Sequence, residues 1–97
     1  MNIEFLTIAQ KELDDAVAYY NYEQEGLGDR FLAEVVRAIK RIERFPQAWQ
    51  LLTKNSHRCL INHFPYGIIY QFRKDKILII AIANLHRKPD YWQSRTD

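Results

Sequence analysis

The first residues alternate in character. Ile3 and Phe5 fall to one side and Glu4 and Leu6 to the other, which predicts a short strand over 2–6, at a sheet edge. From Thr7 the period lengthens. Leu13, Ala16, Val17 and Tyr20 recur at helical spacing, while Glu12, Asp15 and Tyr19 fall elsewhere, so a helix with one apolar face is expected. Thr7-Ile8-Ala9-Gln10 has the T-x-x-Q form of a capping box at its start, and Gly26 and Gly28 are expected to end it and turn the chain. A second helix is predicted from about Asp29 to Phe45. Phe31, Leu32, Val35, Val36, Ile39 and Ile42 make its apolar stripe, and Arg30, Glu34, Arg37 and Arg41 its solvated side. Pro46 stops it, because proline lacks an N–H and clashes with the preceding turn. The short connection makes the two helices an antiparallel hairpin.

The pattern then changes to that of a sheet. Gln47 to Ser56 reads as a connecting loop, anchored by Trp49, Leu51 and Leu52. Strands are expected over 57–63, 68–73 and 77–84, joined by a Phe64-Pro65-Tyr66-Gly67 turn and a tight Lys74-Asp75-Lys76 reversal. The last strand is apolar on both faces and is expected in the sheet interior. Such close spacing forces an antiparallel meander. Pro89 to Trp92 reads as a turn or short helix. The order is β-α-α-β-β-β: an α+β fold with a helix hairpin on one face of a mainly antiparallel sheet.

Composition narrows the classes. A chain of 97 residues points to one domain over 1–97, and its hydrophobic (47%) and charged (27%) fractions argue against disorder. One cysteine, Cys59, excludes an internal disulfide and fits a reducing, cytoplasmic setting, with the thiol acting as a small buried hydrophobe. No secretory leader is read at the N-terminus, and the longest apolar run, Ile77 to Ala83, is too short to span a bilayer as a helix. Charge is split along the chain. Residues 1–45 hold nine acidic and six basic side chains, net −3; residues 46–97 hold three and eight, net +5. The second half therefore favours a polyanion or an acidic partner.

Five segments, in order, carry a resemblance to a known family: Ala16-Val17-Ala18-Tyr19-Tyr20; Gly26-Leu27-Gly28-Asp29-Arg30-Phe31; Ile42-Glu43-Arg44-Phe45-Pro46; Arg58-Cys59-Leu60 with Phe64-Pro65-Tyr66-Gly67-Ile68-Ile69-Tyr70; and Ile82-Ala83-Asn84-Leu85-His86-Arg87-Lys88-Pro89 with Tyr91-Trp92. Together they resemble the RelE/ParE superfamily of type II toxin–antitoxin toxins over nearly the whole chain. That resemblance implies a toxin held inactive by a cognate antitoxin. It allows two activities: messenger RNA cleavage at the ribosome, as in RelE-like members, or poisoning of DNA gyrase without nuclease chemistry, as in ParE-like members.

Metal-free RNA cleavage needs a base for the 2′-hydroxyl, an acid for the leaving 5′-oxygen and cations on the phosphoryl group. His86 brings the imidazole of the C-terminal run, the side chain type most used for proton transfer, and Arg58 and Arg87 offer planar forks for phosphate. The resemblance places His86, Arg87 and Arg58 where RNase members keep functional residues. Lys54, Arg58, Arg73, Arg87, Lys88 and Tyr91 form the candidate surface for a partner or nucleic acid. Arg58 has a second reading, as a partner of Asp90 or of the antitoxin. Tyr66, Tyr70 and Phe72 are read as core and Trp92 as a C-terminal anchor. RNase members of the superfamily often carry several lysines or a glutamate in this loop and the strand after it. Here the loop over 47–56 supplies only Lys54 and no carboxylate, so against that pattern the acid–base set is incomplete and the gyrase-directed reading is slightly favoured. The alternatives are a ribosome-dependent endoribonuclease and a non-toxic, antitoxin-binding co-repressor. No Gly-rich phosphate loop or Ser/His/Asp set is present, and no metal or other cofactor is expected. The expected partners are the antitoxin, assembled with this chain as a hetero-oligomer, and either gyrase or the ribosome with its mRNA; no membrane is expected.

Overall fold

The computed structural model describes residues 1–96. Strand β1 (Asn2–Phe5) leads into helices α1 (Thr7–Glu23) and α2 (Leu27–Arg44). Strands β2 (Gln50–Leu51), β3 (His57–Leu60), β4 (Tyr66–Arg73) and β5 (Lys76–Asn84) follow, and a 3-10 turn at Gln93–Arg95 comes last. One five-stranded sheet has the order β1-β5-β4-β3-β2. β3, β4 and β5 form the expected antiparallel meander, and β1 lies at the edge, parallel to β5. β5 is interior, as its apolar pattern demands, although β4 holds the middle of the sheet.

The capping box is not used. Leu6 donates its N–H to Ile79 O at 2.9 Å and accepts from Gln10 N at 3.0 Å, so the chain passes from sheet to helix within one residue. Leu6 thereby becomes the cap, Thr7 enters the helix, and the Gln10 amide turns to Asp14. The glycines also act one element later than expected. Gly26, at φ +83°, caps the start of α2, and Gly28 lies in its first turn. A Cβ on Gly28 would stand 2.1 Å from Val17 O, so glycine sets how closely the helices approach. Asn21 Oδ1 accepts from Gly28 N at 2.7 Å and fixes that crossing.

On the helix side, Ala9, Leu13, Ala16, Phe31, Val35, Ala38 and Ile42 bury against Cys59, Ile61, Ile68, Tyr70, Ile77, Ile79 and Ile82. Phe31 is ringed by Tyr20, Phe64 and Tyr66 at centroid distances of 4.9 to 5.3 Å. Tyr70 and Tyr66 are thus packing residues, and Phe72 packs against the same cluster. Leu32 and Val36 are exposed rather than core, because the buried stripe of α2 is narrower than its apolar stripe.

Three local readings change. The loop over 47–56 contains β2, whose Leu51 is exposed; Trp49 and Leu52 are the segment's anchors. β3 stops at Leu60, since His63 (φ 70°) turns the chain earlier than expected. Tyr66 and Gly67 consequently belong to β4 rather than to the turn. The β4–β5 reversal has Lys74 and Asp75 both at positive φ, as a two-residue hairpin loop requires.

Candidate functional site

The sheet face away from the helices holds the second half's charge. Strand alternation sends Arg58, Gly67, Ile69, Gln71 and Arg73 to this side. Past Asn84 the chain folds back over it. Trp92, only 3% exposed, packs with Ile69, Ile80, Ala81 and Ala83, and its indole N–H donates to Pro89 O at 2.9 Å. Trp92 is therefore the anchor its sequence context suggested.

A carboxylate from α1 ties the returning segment down. Glu12 follows Ala9 by three residues and precedes Ala16 by four, so it borders the buried stripe on the β5 side. β1 ends at Phe5, leaving one edge of β5 unpaired beyond Ile79 while the other edge stays paired with β4. Glu12 Oε1 accepts from Ile82 N at 3.1 Å on that open stretch. Arg95 meets both carboxylate oxygens, at 2.8 and 2.9 Å, and donates to Ile80 O at 3.0 Å. A β-bulge at this point, where Tyr70 faces Ile79 and Ile69 faces Ala81, leaves Ile80 as the extra residue. Tyr91 Oη donates to Glu12 Oε2 at 2.8 Å, and Arg87 Nη1 stands 3.8 Å from the same oxygen. The guanidiniums of Arg87 and Arg95 lie 3.7 and 5.0 Å from the centre of the Tyr91 ring. Glu12 and Arg95 are both mostly buried, so their attraction is little screened by solvent.

These contacts set the protonation chemistry. Burial, then the hydrogen bond to Glu12, pushes the Tyr91 hydroxyl up to about 12. The hydrogen bond to Glu12 likewise raises Arg95 above its ordinary value. Away from the site, burial raises the Cys59 thiol, against the opposing pull of Arg41.

The structure sorts the candidate residues into two groups and one outlier. Arg58, Arg87, Lys88 and Tyr91 line a crevice of about 40 Å³ between β3, β5 and the returning segment. Arg58 donates to Gln50 Oε1 at 2.7 Å, not to Asp90, and its Nε is buried without a hydrogen-bond partner. Gly67 makes room for it: a Cβ there would stand 3.0 Å from both Cγ and Cδ of Arg58. Lys54 and Arg73 line a separate groove with His57 and Gln71 at the hairpin end. Buried Gln71 connects that end to the rest of the face. It donates to Ser56 Oγ at 3.3 Å and Thr96 Oγ1 at 3.2 Å, and accepts from Arg73. His86 is the outlier. It is exposed in the turn after β5, where its backbone N–H donates to Asn84 Oδ1 at 2.9 Å, and it does not line the Arg58–Arg87 crevice.

Sequence reasoning did not single out Glu12 or Arg95. Glu12 carries a weak signal, being a carboxylate on the border of a buried stripe; its partner lies 83 residues away, and no periodicity links them.

Comparison with known proteins agrees with this architecture. The family model described as "ParE toxin of type II toxin-antitoxin system, parDE" matches residues 3–91. No curated protein sequence matches the chain. A solved structure titled "Chromosomal ParDE TA system from P. aeruginosa" superposes with a TM-score of 0.77 at 13% identity, covering 89% of this chain and 97% of that one. At that identity the superposition speaks for the fold, and the family match for descent. With β1, the helix hairpin, the meander and most of the returning segment inside the matched residues, this chain belongs to the ParE toxin family of type II toxin–antitoxin systems.

Proposed function

We propose that this protein is the poison of a type II pair, that it acts in the cytoplasm on DNA gyrase by binding rather than by cutting nucleic acid, and that a cognate antitoxin neutralises it by covering Arg58 and Arg87. The observation that carries this reading is the state of the acid–base groups around the crevice. Glu12 is engaged by Arg95, Tyr91 and a backbone N–H. Tyr91 is held as a neutral phenol well above neutrality. His86 stands outside the crevice. What remains there is fixed positive charge, which suits recognition of an acidic surface. An antitoxin segment that is acidic and folds on binding would complement it.

Controlled expression separates the readings. The expected result is growth arrest with gyrase-dependent DNA breaks, relieved by Arg58→Ala with Arg87→Ala. Messenger cleavage at ribosomes without such breaks would establish the RelE-like endoribonuclease instead. Normal growth, with antitoxin binding retained, would establish the non-toxic co-repressor. Unchanged antitoxin affinity in the double variant would overturn neutralisation by direct cover.

A further inference from the structure

We infer that Glu12, on the first helix, is a positioning residue: it fixes the returning segment 85–96 on the sheet and so sets where Arg87 is presented to the target. The inference rests on the binding role proposed above for Arg87. One carboxylate takes hydrogen bonds from Tyr91 Oη, both terminal nitrogens of Arg95 and Ile82 N. Those donors come from two points of the segment and from the strand under it, so a single side chain joins three pieces of chain. Arg87 is then held from two sides. Its guanidinium lies 3.7 Å from the Tyr91 ring centre and 3.8 Å from Glu12 Oε2. Its backbone N–H bonds Asn84 O at 3.1 Å. Leu85 N bonds Pro65 O at 2.8 Å at the root of the segment, and beyond it the other backbone bonds are turns: Tyr91 N to Lys88 O at 3.3 Å, Gln93 N to Asp90 O at 3.1 Å and Arg95 N to Trp92 O at 3.0 Å. Isolated turns do not hold a chain in place, so past Leu85 docking depends on side chains: Trp92, Glu12 with Arg95, which also donates to Ile80 O, and the Gln71–Thr96 hydrogen bond at the far end. Trp92 supplies apolar contact that tolerates sliding. The bidentate carboxylate–guanidinium pair is directional and gives the register.

Amide hydrogen exchange on the whole protein tests the positioning directly. In Glu12→Gln, and in Glu12→Ala, the amides of Tyr91, Gln93 and Arg95 should exchange at least about tenfold faster, while β4 amides stay protected. Unchanged exchange in both variants would overturn the inference. So would equal acceleration in β4, which would mark Glu12 as a general stability residue. Coupling to Arg87 is read on gyrase supercoiling. Glu12→Gln should weaken inhibition in the otherwise native chain and add nothing in an Arg87→Ala background. Additive losses would show that Glu12 does not act through Arg87. If the native protein leaves gyrase untouched, the functional reading fails, while the exchange result still decides whether Glu12 docks the segment.

Discussion

On the helix side of the sheet, seven helix residues close over Ile68, Tyr70, Ile77, Ile79 and Ile82, and the layer is apolar throughout. On the other side, Ile69, Ile80, Ala81 and Ala83 meet one large buried side chain, Trp92, with Leu6, Leu52, Leu78 and Tyr91 partly buried around it, and polar groups complete the cover: Gln71, Arg58, and Glu12 with Arg95. The difference lies in side-chain size as much as in polarity. Gly67, Ala81 and Ala83 keep the second face shallow, leaving room for Arg58 and for a chain segment to lie across it. A face closed by dispersion and apolar burial gives stability. A face closed by a few directional polar contacts gives defined positions for charges, with less stability per residue.

The sharpest way to break this contrast is to truncate one anchor on each side. Phe31→Ala should cost about 3–5 kcal/mol by urea or thermal unfolding, because a fully buried ring inside an aromatic cluster leaves a cavity its neighbours cannot fill. Trp92→Ala should cost less, about 2–3 kcal/mol, since the segment above it can move away instead of enclosing a void. Equal losses would show that both faces are closed in the same manner.

Alkali offers a third comparison. The Tyr91 hydroxyl titrates near 10 in an unfolded chain and is raised to about 12 here, chiefly by burial and by Glu12. A raised folded value means that its contribution is complete below pH 10 and is lost as pH climbs from about 10 toward 12. Tyr91 is only half-buried, so the effect is of order 1 kcal/mol after solvent screening. Urea midpoints at pH 8 and pH 11 should differ less in Tyr91→Phe than in the native chain. Tyr70, raised further by burial beneath the helices, keeps the remaining slope. The smallest effect is expected at Arg58. Its Nε has no partner, so Arg58→Ala should alter stability by no more than about 0.5–1 kcal/mol while weakening partner binding. A large loss of stability would make Arg58 a structural residue.

The helix side was legible in the sequence for the same reason that it is stable. Leu13, Ala16, Phe31, Val35 and Ile42 repeat at the helical period, and periodicity reports burial against a continuous apolar layer. The failures there were local. Leu6 displaced Thr7 as the helix cap because a sheet hydrogen bond had already fixed it, and Gly28 served helix approach rather than helix ending. The second face was legible only in part. Arg58, Arg87, Lys88 and Tyr91 do share a crevice, because strand parity and the return of the chain bring them together. His86 is adjacent in sequence and not in that crevice, which shows how little a contiguous motif says about side-chain direction in a turn. Glu12 and Arg95 were out of reach, since a pair joined only through the completed fold leaves no pattern along the chain.

The pairing of distant pieces also bears on time. The helix hairpin and the β3–β4–β5 meander are built from contacts close in sequence. β1 must instead wait for β5, and Glu12 for Arg95, 83 residues on. Contacts that close long loops form late in folding, and interactions absent from the folding transition state act on the rate of unfolding. The Glu12–Arg95 pair is accordingly expected to act as a brake on the opening of the returning segment, and to leave the speed of folding nearly unchanged.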